Sequence, residues 1–144
     1  MQDNRISLTD LKIILKASKD INFLDISGNP IGPNLTSDTF AGFHKMVHLY
    51  MATCGLQHIE TRSFRAMNKL KEIDLFSNML SHIEPGTFEG PSEGLLSLFL
   101  HYSELKTIAD GTFRRFSRLT DLRLCHNKLT TLPDLTGPAT MTNL

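Results

Sequence analysis

The sequence predicts an α/β fold: a right-handed solenoid segment, curved like a horseshoe. Each 24–25-residue unit adds one short strand to a parallel sheet on the concave face, opposite a mostly irregular, partly 3-10 convex side. Three observations predict it. First, one column of small polar residues recurs through Asn4, Asn29, Cys54, Asn78, Ser103 and Asn127, with steps of 25, 25, 24, 25 and 24, each followed two residues later by an aliphatic (Ile6, Ile31, Leu56, Leu80, Leu105, Leu129). Second, ahead of that column stand apolar pairs with one residue between them: Leu24/Ile26, Leu49/Met51, Ile73/Leu75, Leu98/Leu100 and Leu122/Leu124. Third, Phe40, Phe64, Phe88 and Phe113 form an aromatic column of the same period. Self-similarity at this spacing is the signature of stacked supersecondary units.

Each element has a physical reason. The apolar pairs alternate with period two, as a short strand with one buried face must. The Asn amide turns inward, where it can donate to and accept from backbone groups of neighbouring coils that no regular ladder reaches. One unit cannot bury its own apolar face, so units stack, with strands about 4.8 Å apart. The phenylalanines then become a spine of rings on the far side of the core. Residues 9–17, with Leu11, Ile14 and Leu15 at i, i+3 and i+4, read as a short helix.

The unit L-x-x-L-x-L-x-x-N-x-L resembles the leucine-rich repeat family over nearly the whole chain, most closely in the stretch from Leu70 to Phe88. The endings Ile59 to Phe64, Ile83 to Phe88 and Ile108 to Phe113 are similar to the subtype common in extracellular receptors and matrix proteins. The resemblance implies a protein-binding module of a cell-surface receptor ectodomain or a secreted protein, taking a protein ligand or co-receptor on its concave face. An intracellular scaffold or inhibitor, or the regulatory segment of a larger enzyme such as a receptor kinase, is the alternative.

The departures from the pattern carry expectations of their own. Cys54 keeps a weak donor in the Asn column, whereas Ser103 is too short and marks the weakest repeat. An extra residue with Gly90, Pro91 and Gly94 makes 89–94 a loosened outer loop; Gly32 and Pro33 disturb 31–40. Met1 falls on a strand position, a possible sixth strand, Gly137 stands where a Phe is due, and Leu144 opens a new unit. The expected organisation is therefore one domain, 1–144, of about five repeats plus partial ones, cut at both ends and without caps.

Composition narrows the function classes. Lys plus Arg equals Asp plus Glu at 15 each, so no single-sign field draws phosphates, and nucleic acid is not the expected partner. Arg114, Arg115 and Arg118 read as a solvated outer face. No apolar run approaches the ~20 residues that cross a bilayer, so membrane attachment would come from segments outside this chain. Two scattered cysteines, Cys54 and Cys125, make neither a disulfide framework nor a zinc site. No phosphate-cradling loop or acid–base pair points to an enzyme, a cofactor or a small-molecule substrate. His101 and Cys125 share a column, but a flat strand face supplies neither further metal ligands nor an oxyanion pocket.

The register places Tyr50, Phe76, Phe99 and Tyr102 on the concave sheet at positions expected to be solvated, with Phe23 at the edge and Asp74, Glu72, His101 and Arg123 around them. Exposed aromatics rimmed by charge have the composition of a protein-binding hot spot; the bland alternative is that the rings only pack sideways across strands. Asn34-Leu35-Thr36 is an N-glycosylation sequon in an expected loop.

Overall fold

A computed structural model describes residues 5–135. The chain enters through helix α1 (Leu8–Ala17). Ser7 caps it reciprocally: its Oγ accepts from the Asp10 N–H, and the Asp10 carboxylate accepts from the Ser7 N–H. Leu11 and Leu15 are the residues it buries.

Nine short strands follow among the described residues: β1 (Phe23–Asp25), β2 (Asn34–Leu35), β3 (His48–Tyr50), β4 (His58–Ile59), β5 (Glu72–Asp74), β6 (His82–Ile83), β7 (Ser97–Phe99), β8 (Thr107–Ile108) and β9 (Asp121–Arg123). The odd-numbered ones form a five-stranded parallel sheet in the order β1-β3-β5-β7-β9. Their middle residues, Leu24, Leu49, Ile73, Leu98 and Leu122, sit in register and are all buried. The possible sixth strand, Asn4, Gly137 and Leu144 lie outside the described residues.

The far side adds detail to the irregular path expected. Two two-stranded parallel ladders, β2-β4 and β6-β8, cross it. The remainder is turns closed by N–H(i+3)→O=C(i) bonds, such as Phe43 to Phe40 and Met67 to Phe64, without a continuous 3-10 helix among the described residues. Segment 89–94 is not the loosened loop its composition suggests. Pro91 and Ser92 are buried, and the Leu95 N–H bonds the Pro91 carbonyl at 2.9 Å. Gly90 (φ 111°) packs so closely on the previous coil that a Cβ there would lie 2.7 Å from the Phe64 carbonyl oxygen. Only glycine fits such an approach.

The aromatic spine is real but changes partner midway. Phe40, Phe64 and Phe88 stack nearly parallel, with centroids 6.3 and 5.8 Å apart. Phe88 is then met by Phe116, at 5.9 Å and 75°, and Phe116 in turn contacts Phe113. Pro91 takes the column position that Phe43, Met67 and Phe116 fill elsewhere, and so leaves room for the Phe116 ring.

Polar bonds at the inner turn fix the register. Asn78 is 3% exposed and makes four bonds: Nδ2 donates to the carbonyls of Met51 and Leu75, both at 2.9 Å, while Oδ1 accepts from Cys54 and Leu56 N–H at 3.1 and 3.0 Å. Asn127 reproduces this with Leu100, Leu124 and Leu105, and Asn29 with Ile26 and Ile6. Cys54 substitutes with its thiol, which donates to the Ile26 carbonyl at 3.3 Å; burial pushes that thiol up to about 11 and keeps it protonated. Ser103 is buried, and its hydroxyl has no hydrogen-bond partner.

Turning the column inward needs a left-handed residue just before it. Gly28, Thr53, Ser77, Tyr102 and His126 all have φ between 54° and 71°. For the four that are not glycine this costs roughly 1 kcal/mol each; inward bonds offset it after Thr53, Ser77 and His126, whereas the Ser103 hydroxyl after Tyr102 makes none.

These contacts predict opposite signs for two exchanges. Asn78→Ser should destabilise the chain by about 2–4 kcal/mol, because it strands several buried backbone groups. Ser103→Asn should stabilise it by about 1 kcal/mol, by completing the column. Urea unfolding measures both; a destabilising Ser103→Asn would contradict the assigned role of the column.

Candidate sheet-face binding site

In every strand of the main sheet the residues flanking the buried middle one point away from the core, which sets them in columns across the coils. One column runs Asp25, Tyr50, Asp74, Phe99, Arg123. Two residues on, Phe76 and His101 neighbour one another, and Tyr102 and His126 fill the left-handed column.

The rings fall into two groups. At the first coils, Phe23 meets Tyr50 edge-on at 5.3 Å, and His48 contacts both. In the later coils Phe76 lies 4.6 Å from His101 and 5.6 Å from Tyr102, Phe99 meets His101 at 6.2 Å, and His126 stacks on Tyr102 at 4.1 Å and 18°. The Arg123 guanidinium stands 4.7 Å over the Phe99 ring and is held there by two bonds to Asp121. Edge-to-face pairs of this kind contribute about 0.5–1.5 kcal/mol each beyond area burial.

Exposure differs from the expectation. Tyr102 is 52% exposed, but Tyr50, Phe76 and Phe99 are only half-buried intermediates, because each ring leans on its cross-strand neighbours. Phe23 and His126 are the other well-exposed rings of this face. The structure thus brings Phe76, Phe99, His101, Tyr102 and Arg123 together and sets Tyr50 in a separate group, with Asp74 between the two. His48 and His126 belong to these groups although their type alone did not mark them; column position was the available signal. Asn34 is exposed, at the start of β2 rather than in a loop. His101 and Cys125 share their column, and the described residues hold no group of three or more His, Cys, Asp or Glu placed to bind a metal.

The electrostatics follow from this crowding. Burial raises the Asp74 carboxyl above its ordinary value, the bond it accepts from the Phe76 N–H (2.8 Å) works the other way, and the charges of Glu72 and Asp25 add to the rise. Burial also lowers His101, opposed by Asp74 and reinforced by Arg123. The Nδ1 of His101 is buried without a hydrogen-bond partner. Tyr50 is raised, by burial first and then by Glu72, which also pairs with His48 at 3.2 Å.

Against known proteins, a family model described as "Leucine rich repeat" matches residues 45–93 and 93–138, more than half of the 144. The chain is similar to lumican of Mus musculus (28% identical over 117 residues, 77% of this chain and 31% of lumican). It is also similar to Tsukushi-A of Xenopus laevis (40% over 63 residues, 43% of this chain and 18% of that protein). A third relative is the transforming growth factor beta activator LRRC33 of Danio rerio (32% over 66 residues, 46% of this chain and 10% of that protein). The chain therefore spans less than a third of the length of each of these relatives. Among solved structures, a TLR13–ssRNA13 complex superposes with a TM-score of 0.76 at 30% identity, covering 82% of this chain and 16% of TLR13. A Toll–Spatzle complex from Drosophila superposes with 0.61 at 19% identity, over 94% of this chain and 20% of that one, a likeness of fold.

Asp74 offers a test of the face's electrostatics. Its folded-state pKa lies above the unfolded value of 3.8, so its favourable contribution is complete below that value and is lost as pH rises through the carboxylate range. Asp74→Asn keeps an acceptor for the Phe76 N–H and removes the charge. It should raise stability at pH 7 by less than about 1 kcal/mol, with the gain vanishing near pH 3. Unfolding midpoints across that range measure it, and a variant less stable at pH 7 would contradict the account of a charge held at a cost.

Proposed function

We propose, on the premise that the chain belongs to the leucine-rich repeat family, that it is a protein-binding module that recognises a protein ligand or co-receptor through its sheet face. The observation that carries this reading is the later aromatic group: Phe76, Phe99, His101 and Tyr102, with Arg123, gathered on one side of a rigid sheet. Half-buried rings suit the task. They are already held by their neighbours, so a partner gains their area without ordering them. Tyr, Phe and Arg are also the residue types that dominate protein interfaces.

The same reading makes the chain a binding module and not an enzyme. A protein partner is favoured over nucleic acid by the balanced charge of the chain and by Asp25, Glu72, Asp74 and Asp121 on the sheet face, which repel phosphates. An extracellular or cell-surface setting is supported by the Ile-x4-Phe endings and by the exposed Asn34 sequon, a site for an N-linked glycan on a ladder separate from the main sheet. No helix of the described residues is long and apolar enough to cross a membrane.

The test is a contrast between faces. A partner found by screening the chain against a panel of protein ectodomains should bind Phe99→Ala and Tyr102→Ala more weakly by about 1–3 kcal/mol, with the fold intact. Arg65→Ala, on the far side, should change binding by less than about 0.5 kcal/mol. Equal losses, or a larger one at Arg65, would falsify the choice of face.

A further inference from the structure

Two glycines in neighbouring coils leave a trough on the side away from the main sheet. Gly86 and Gly111 hold the left-handed position that Arg62 fills one coil earlier, with φ of 83°, 78° and 66°. A Cβ at Gly86 would meet nothing within 4 Å. The space these missing side chains leave is part of an open cavity of about 580 Å3, lined among others by Arg62, Arg114, Arg115, Ser92, Thr112 and Glu89. The Arg114 guanidinium lies across Gly111, with Cζ 3.9 Å from where a Cβ would stand. Glu89 accepts from Arg62 Nε at 3.0 Å, which steadies that guanidinium and leaves its Nη donors free for a ligand. Arg114 and Arg115 have no carboxylate partner among the described residues. Three guanidinium groups thus face one carboxylate, in a chain whose formal charge is zero.

We propose that this trough binds a sulfated polysaccharide, with sulfate groups held by Arg62, Arg114 and Arg115. Guanidinium forks match the oxygens of tetrahedral oxyanions and hold them by charge-assisted bonds. Arg62 lies two coils from the Arg114–Arg115 pair, roughly 10 Å at strand spacing, too far for one small anion to bridge. A polymer bearing an anion on successive sugars reaches both ends. Single-stranded RNA has the same charge pattern but needs rings on which to stack its bases. The trough's aromatic residue, Phe88, is 2% exposed and belongs to the core.

Calorimetric titration of the full chain with a fully sulfated heparin-derived hexasaccharide, with inorganic sulfate and with single-stranded RNA of matched charge tests this. The hexasaccharide should bind, and R114Q/R115Q should weaken it at least about tenfold. The thermal midpoint should hold, since both side chains are exposed. K16Q/K45Q removes the same charge from earlier coils and should alter binding less than about twofold. Phe99→Ala should leave it unchanged, which separates this site from the sheet face. The proposal is overturned by equal weakening in the two double variants, by inorganic sulfate competing at equal molar concentration, or by RNA binding more tightly than the hexasaccharide.

Discussion

A solenoid of this kind must satisfy the backbone groups that turn inward where each strand ends, since a buried amide or carbonyl without a partner costs about as much as a lost hydrogen bond. Here that need is met by the side chain one coil along. Asn78 ties Cys54 and Leu56 of the preceding coil to Leu75 of its own and to Met51. The step of 24 or 25 residues returns an Asn, Cys or Ser to the same place in each coil. The left-handed residue before each column residue is the conformational cost of the arrangement. Tyr102 and His126 occupy that position, which is how their rings reach the sheet face.

The sheet face inherits its order from this register. Because Leu49, Ile73 and Leu98 stand in step, Tyr50, Asp74 and Phe99 stand in step too, on the opposite face of the pleat. Sideways packing and recognition then cease to be rival explanations for the aromatics. Phe99 is stabilised by His101 and Arg123 and still offers part of its surface. Asp74, crowded among acids and rings, holds its charge at a cost that a cationic group from a partner would relieve.

The columns made the architecture legible in advance, down to the inward Asn and the missing partner at Ser103, because burial at a fixed period leaves its mark on residue type. What stayed hidden depends on distances that periodicity does not carry. Segment 89–94 looks loose by composition, but Gly90 is there because the Phe64 carbonyl comes too close for a side chain. Asn34 lies in a ladder of two residues, too short to show alternation. The half-burial of Tyr50, Phe76 and Phe99 is set by ring orientations between neighbouring strands. The trough at Gly86 and Gly111 needed the coils stacked before two unremarkable glycines became a shared absence of side chains.

Amide hydrogen exchange at three equivalent positions tests the central claim most directly. Leu56 and Leu105 donate to the Oδ1 of Asn78 and Asn127, while Leu80, equally buried, faces the coil in which Ser103 replaces the Asn. If the Asn column locks each coil to the one before it, the Leu80 amide should exchange about ten times or more faster than those of Leu56 and Leu105. Equal protection at all three would mean that apolar stacking alone sets the register, and that the Asn column only accompanies it.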